Sequence, residues 1–147
     1  MEKVETVCLV SCVGSKRAEP APARDLYQSD WFIKARRYVE AMGCPWFILS
    51  AKHGLISPDE VIPPYEQTLN TMGVSERRDW ARMVQNQMDE QMPNASHIVI
   101  LAGKRYREFL KDYLRRRADT VDVPMEHLGI GQQKSWLGRH VGDGPAR

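Results

Sequence analysis

Ser50, Lys52 and His53 fall close together in "ILSAKHGLISPDEVIPPYEQTL", Ile48 to Leu69. The segment leaves an apolar run and then passes Pro58, Pro63 and Pro64, which keep the chain out of helix. His53 is the strongest acid–base candidate, because an imidazole with an ordinary pKa of about 6.5 gives or takes a proton at cellular pH. Lys52 beside it favours the neutral ring or holds an anion next to it. Asp25 in "ARDLYQS" and Asp59 in "SPDEV" are loop carboxylates that would position water; Asp25 has the second option of fixing its own loop by accepting backbone hydrogen bonds. Tyr65 offers a stacking face to whatever lies under the proline-stiffened stretch.

A second chemistry is anion binding. Small residues next to a lysine recur in "SCVGSK" (Cys12, Gly14, Ser15, Lys16), "SAKHG" (Ser50, Ala51, Lys52) and "AGKRY" (Gly103, Lys104, Arg105). Small residues let backbone N–H groups approach a ligand, and lysine adds a compact positive charge, so these pieces suit a phosphate. "EHLGIGQQ", with Gly131 and Gln132, is a fourth loop of the same character. The GxxxxGK[ST] pattern is absent, so ATP hydrolysis is not inferred. Cys12, Cys44, His53 and His127 match no common zinc spacing, and neither a metal nor a cofactor is expected.

The elements that must hold these residues alternate. "TVCLVSC", "PWFILSA", "HIVILAG" and the short "TVDVP" read as strands. "SDWFIKARRYVEAMG" reads as a helix capped by Ser29, striped by Phe32, Ala35, Val39 and Met42, and ended by Gly43. "SERRDWARMVQNQMDEQM", capped at Ser75, and "KRYREFLKDYLRRR" read as the next two helices, and "GIGQQKSWLGRH" as a glycine-hinged loop leading into a last short one. The stretch from Val13 to Tyr27 and the chain after Gly54 read as loop. Strand–helix alternation predicts an α/β fold: a single-domain three-layer sandwich over 1–140 with a mainly parallel four-stranded sheet, and a flexible tail at 141–147. In such a sheet every loop that follows a strand lies on the carboxyl edge, so the lysine-bearing loops converge there.

Composition sets the boundaries. With 147 residues, 42% hydrophobic and 27% charged, the chain has the profile of a globular domain. No membrane span and no signal peptide are read, and three cysteines without a CxxC pair suit reduced thiols, so a cytoplasmic protein is expected. The formal net charge is only +2. The clusters Lys34–Arg36–Arg37 and Lys104 to Arg117 are either solvated helix faces or a surface for a phosphate backbone. The oligomeric state is open.

The pattern from "SCVGSKRAEPAPARDLYQSDWFIKARRYVE" through "WFILSAKHGLISPDEVIPPYEQTL" to "GIGQQKSWL" resembles an uncharacterised family of small bacterial and phage proteins. A more distant similarity is to the central domain of archaeosine synthase. It is carried by Cys12, Ser15 and Lys16 after the first strand, Ser29 and Phe32 at a helix start, and Ser50 to Gly54 followed by Pro58, Glu60 and Tyr65. That domain looks like the uracil-DNA glycosylase fold, a parallel α/β sheet with its pocket on the carboxyl edge. The resemblance implies processing of a nucleic-acid or nucleotide base, by cleavage of the N-glycosidic bond of a modified base, with DNA or a nucleotide as partner. The glycosylase loops of the "GQDPYH" and "HPSPLS" types are absent here. The alternatives are a non-catalytic nucleotide- or DNA-binding module and a metal-dependent nucleotide phosphohydrolase or transferase.

Overall fold

The computed structural model describes residues 4–11 and 16–141. The candidates Cys12, Gly14 and Ser15, and all of the tail except Val141, lie outside the described residues. The elements run β1 (Val4–Ser11), β2 (Ala21–Pro22), α1 (Ala23–Leu26), α2 (Asp30–Met42), β3 (Trp46–Ser50), β4 (Gly54–Ile56), β5 (Val61–Ile62), α3 (Val74–Gln91), β6 (Ala95–Leu101), α4 (Lys104–Arg107), α5 (Lys111–Arg117), β7 (Thr120–Asp122) and α6 (Ile130–His140). A single 3-10 turn at Leu69–Thr71 leads into α3.

The main sheet has the order β4-β3-β1-β6-β7. β3, β1, β6 and β7 are parallel, and β4 returns antiparallel along β3. β1 is the central strand. Cys8 and Val10 point to one face and Val7 and Leu9 to the other, and all four are fully buried, which is why this segment reads as an unbroken apolar run. The Cys8 face is covered by α2 and α6 through Phe32, Ala35, Val39 and Leu137. The Leu9 face is covered by α3 through Trp80, Val84 and Met88, and by the α4–α5 segment through Tyr106, Leu110 and Leu114.

This layering follows from right-handed crossovers. From β1 the chain goes out to β3 over α2. It then returns across β1 on the opposite face, over α3, to reach β6. Numbered along the chain, the parallel strands lie in the order 2-1-3-4, and the direction reverses between β1 and β6. The loops after those two strands leave toward opposite faces, and the crevice between them is where open α/β sheets bind ligands.

The α2 boundaries match the sequence reading. Ser29 Oγ accepts a hydrogen bond from the Phe32 N–H at 3.2 Å, and Gly43 ends the helix in a left-handed conformation at φ 72°. Five other expectations are corrected. The sheet has five strands, because Gly54–Ile56, read as loop, forms an edge strand. The "loop" from Val13 to Tyr27 includes β2, which pairs antiparallel with β5, and the single turn of α1. α3 starts one residue earlier than its expected cap, behind Gly73 and without a capping side chain. "KRYREFLKDYLRRR" is broken between Arg107 and Lys111, and Gly131 and Gln132 belong to the first turn of α6 instead of a hinged loop. Among the described residues, no helix is long and apolar enough to cross a membrane.

Candidate functional site

β3 ends at Ser50, and the chain turns through Ala51, Lys52 and His53 into Gly54 at φ 76°. Ser50 Oγ accepts hydrogen bonds from the backbone N–H groups of Lys52 (3.3 Å) and His53 (3.1 Å). Its own hydroxyl proton goes to the Tyr65 hydroxyl at 2.7 Å, and the Tyr65 and Tyr27 hydroxyls lie 2.6 Å apart. The far side of the turn is held by α3: Gln87 accepts from the Leu55 N–H (2.8 Å) and donates to the His53 carbonyl (2.9 Å). Trp80 Nε1 donates to the Ser50 carbonyl at 2.8 Å. The turn that carries Lys52 and His53 is therefore fixed from both faces of the sheet.

On this platform the His53 ring meets the Tyr65 ring edge to face, with centroids 5.4 Å apart and planes at 89°. The Lys16 ammonium sits 4.6 Å from the centroid of the same tyrosine and 5.6 Å from that of Tyr27. His53 Nε2 is buried without a hydrogen-bond partner among the described residues. Burial, with Lys52 adding to it, holds the His53 pKa below its ordinary value, against a weaker pull upward from Glu60. The ring is thus biased toward the neutral form, as the sequence suggests.

The sign of this shift has a consequence for stability. Because the folded value is depressed, the unfolded chain binds a proton first as pH falls, so stability declines between about pH 6.5 and the lower folded value. We expect the urea midpoint of the wild type to fall more steeply on acidification across that window than that of His53→Ala. The two midpoints, measured at several pH values, check this; parallel curves contradict it.

The Tyr65 hydroxyl is the joint of the cluster, since it takes the Ser50 proton and pairs with Tyr27. Tyr65→Phe removes one hydrogen bond from each of the buried Ser50 and Tyr27 hydroxyls at little change in volume. The expected loss is about 1–3 kcal/mol, read from denaturant unfolding.

The two carboxylates expected to position water are elsewhere. Asp25 accepts from Arg36 Nη1 at 2.7 Å, and its backbone carbonyl takes Arg17 Nε at 2.8 Å. It fixes its segment, as one of its two readings has it, but through an arginine. Asp59, exposed, pairs with Arg24 and so ties the loop before β5 to α1.

Gly103, Lys104 and Arg105 line a cleft of about 700 Å³ at the carboxyl ends of β1, β6 and β7. Its floor includes Ser11, and its opposite wall is made by Asp30 and Trp31 at the start of α2 and by Gln133 and Lys134 of α6. The wall is pinned by the Trp31 indole N–H, which donates to Gln133 Oε1 at 2.7 Å. Two carboxylates line this space: Asp30, held by Lys134 at 3.6 Å and Lys34 at 3.9 Å, and Glu126, paired with Arg107 at 3.2 Å. Lys104 and Arg105 are exposed and make no ion pair among the described residues. Gly131 and Gln132 are not in the cleft: they line the outer side of α6 with Ser135 and Arg139, and Gln132 accepts from the Gly129 N–H at 3.1 Å.

The structure thus gathers the expected site residues into two groups. Lys16, Ser50, Lys52, His53 and Tyr65 form one at the end of β3; Gly103, Lys104 and Arg105 form the other at the end of β6. They flank the end of β1, about 10 Å apart at two strand spacings. Ser11, Asp30, Trp31, Gln133 and Lys134 escape a reading of the sequence. Helical spacing does place Gln133 and Lys134 on the same side as Ile130, the first residue of α6, and that was the available signal.

A family model described as a family of unknown function, DUF6884, matches residues 7–139. The chain is also 27% identical over 146 residues to the "Uncharacterized protein YfjM" of Bacillus subtilis (strain 168), an alignment covering 94% of this chain and 96% of that protein. Neither description names a reaction.

Proposed function

We propose that this chain, which belongs to the DUF6884 family, holds a nucleotide unit across the carboxyl end of β1 and cleaves its N-glycosidic bond. The observation that carries the reading is the reversal of the parallel sheet between β1 and β6. A cationic cleft lies on one side of it and a neutral-biased histidine packed on an aromatic ring on the other. A phosphate fits beside Gly103, Lys104 and Arg105, where backbone N–H groups and exposed cations meet. The base then extends toward His53 and Tyr65. The similarity to the archaeosine synthase domain and to the glycosylase-like fold, drawn from the sequence, points the same way.

In the reaction, the C1′–N bond breaks with its electron pair going to the base, and water adds to the sugar carbon that becomes cationic. His53 donates a ring N–H to the departing base nitrogen or takes the proton from the water, and Asp30 lies on the wall where a sugar cation would be stabilised. A screen for free base released from nucleoside monophosphates and from oligodeoxynucleotides bearing modified bases tests this. Base appearing together with an equal amount of base-free sugar supports it, and binding without release from any substrate replaces it with the second reading.

That second reading, a binding module without chemistry, is favoured by one observation. Asp25, Asp59 and Asp30 are all engaged by arginine or lysine, which suits a structural or charge-balancing role. The metal-dependent alternative lacks comparable support: among the described residues, no three His, Cys, Asp or Glu side chains gather as a metal site.

A further inference from the structure

Away from the crevice, Cys8 and Cys44 face each other with their sulfurs 3.4 Å apart. Cys8 is fully buried in β1 on the α2 side of the sheet. Cys44 is half-buried in the link between α2 and β3, so one thiol of the pair is within reach of solvent and the other is not. Met42 Sδ lies 3.7 Å from Cys8 Sγ and completes a small sulfur cluster. The link is anchored to β1 at this point, since the Cys8 N–H donates to the Pro45 carbonyl at 3.0 Å and Cys8 lies opposite Trp46 in the parallel register.

We propose that Cys44 and Cys8 are a modification site: an oxidisable pair in which Cys44 reacts with a peroxide and Cys8 resolves the product as an intrachain disulfide. The sulfurs need to close from 3.4 Å to about 2.05 Å, a movement a half-buried side chain in a linker accommodates. The electrostatics are asymmetric in the required sense. The hydrogen bond from Cys8 lowers the Cys44 pKa, against burial, while the same bond and burial drive that of Cys8 strongly up. Of the two thiols, Cys44 is the one that ionises more readily, and the thiolate is the nucleophile.

The steps balance without further reagents. The Cys44 thiolate attacks one peroxide oxygen, the O–O bond breaks, and a sulfenic acid forms as the peroxide leaves as an alcohol or water. Cys8 sulfur then attacks Cys44 sulfur, the S–O bond breaks, and the hydroxide leaves as water with the proton that Cys8 held. Two thiols are oxidised by one peroxide.

The test uses the full chain in a Cys12→Ser background, which removes the third cysteine. After treatment with hydrogen peroxide we expect a monomer lighter by two hydrogens, one cross-linked tryptic pair joining the Cys8 and Cys44 peptides, and full reversal by dithiothreitol. Adding Cys44→Ser should leave the buried Cys8 thiol unreacted under the same treatment. Adding Cys8→Ala should let dimedone trap the Cys44 sulfenic acid. The proposal is overturned if both thiols remain free, if Cys44 proceeds to sulfinic acid while Cys8 stays reduced, or if disulfides form only between molecules.

Discussion

If the proposed N-glycosidic cleavage operates, replacing His53 with alanine is expected to lower base release by roughly 10²–10⁴-fold, the range that a positioned acid–base group supplies. The substitution reads on chemistry because of how the turn is built. The His53 backbone N–H bonds to Ser50 Oγ, and its carbonyl accepts from Gln87. Both survive in alanine, as do the Tyr65–Ser50 and Trp80–Ser50 bonds. What is lost is a ring biased to its neutral form by burial and by Lys52. The pH profile adds a second readout. With neutral His53 as the working form, the wild-type rate is expected to show an acid limb below the ordinary histidine pKa, and that limb should vanish from the residual activity of the variant. Release from the variant at the wild-type rate would remove His53 from the mechanism, whatever the substrate.

The second large effect is structural and falls one residue later. Gly54→Ala destabilises the protein by about 2–5 kcal/mol, combining left-handed backbone strain with the loss of up to two hydrogen bonds. A Cβ at Gly54 would stand 2.1 Å from Gln87 Oε1 and 2.9 Å from Met83 Cε, on a backbone already at φ 76°. Gln87 must swing away, and with it go its bonds to Leu55 and His53. Gly43 provides the control. It has nearly the same conformation, φ 72°, but nothing within 4 Å of its would-be Cβ, so Gly43→Ala costs only the backbone strain of about 1–2 kcal/mol. Urea unfolding of both variants checks the ordering. In the double variant Gly54→Ala with Gln87→Ala the clash with Gln87 is gone and only the flexible end of Met83 must give, so its loss should be smaller than the sum of the two single losses.

The sequence exposes local structure where local chemistry decides it. α2 is legible from Ser29 to Gly43 because a cap, an apolar stripe and a left-handed glycine are all written within its own span. Strand alternation likewise places the loops after β1, β3 and β6 on one edge. β4 is hidden because it is three residues long, lies beside a proline-rich run, and owes its existence to pairing with β3. The start of α6 is hidden by Gly129 and Gly131, which read as a hinge, whereas Gln132 supplies the cap from within the helix.

The same division applies to the site. Lys16, Ser50, His53 and Tyr65 come together as a strand end and the loops above it would suggest, but the Ser50–Tyr65–Tyr27 chain of hydroxyls joins residues that no local pattern connects. The cleft wall is harder still to foresee. Whether Gln132 or Gln133 faces the cleft depends on α6 packing against α2, fixed by a Trp31–Gln133 hydrogen bond between residues 102 positions apart. Asp25 and Asp59 look available in sequence only because their partners are distant along the chain, Arg36 11 positions from Asp25 and Arg24 35 positions from Asp59.

The most direct test of a nucleotide lying across the end of β1 is a map of backbone amide shifts during titration with nucleoside 5′-monophosphates. Changes are expected at Gly103, Lys104 and Arg105 from the phosphate, at Ser11 between the two groups, and at Lys52 to Gly54 from the base. The free phosphate ion alone should move only the Gly103 group. Shifts confined to the exposed basic residues of α5, with the ends of β1, β3 and β6 unmoved, would contradict it.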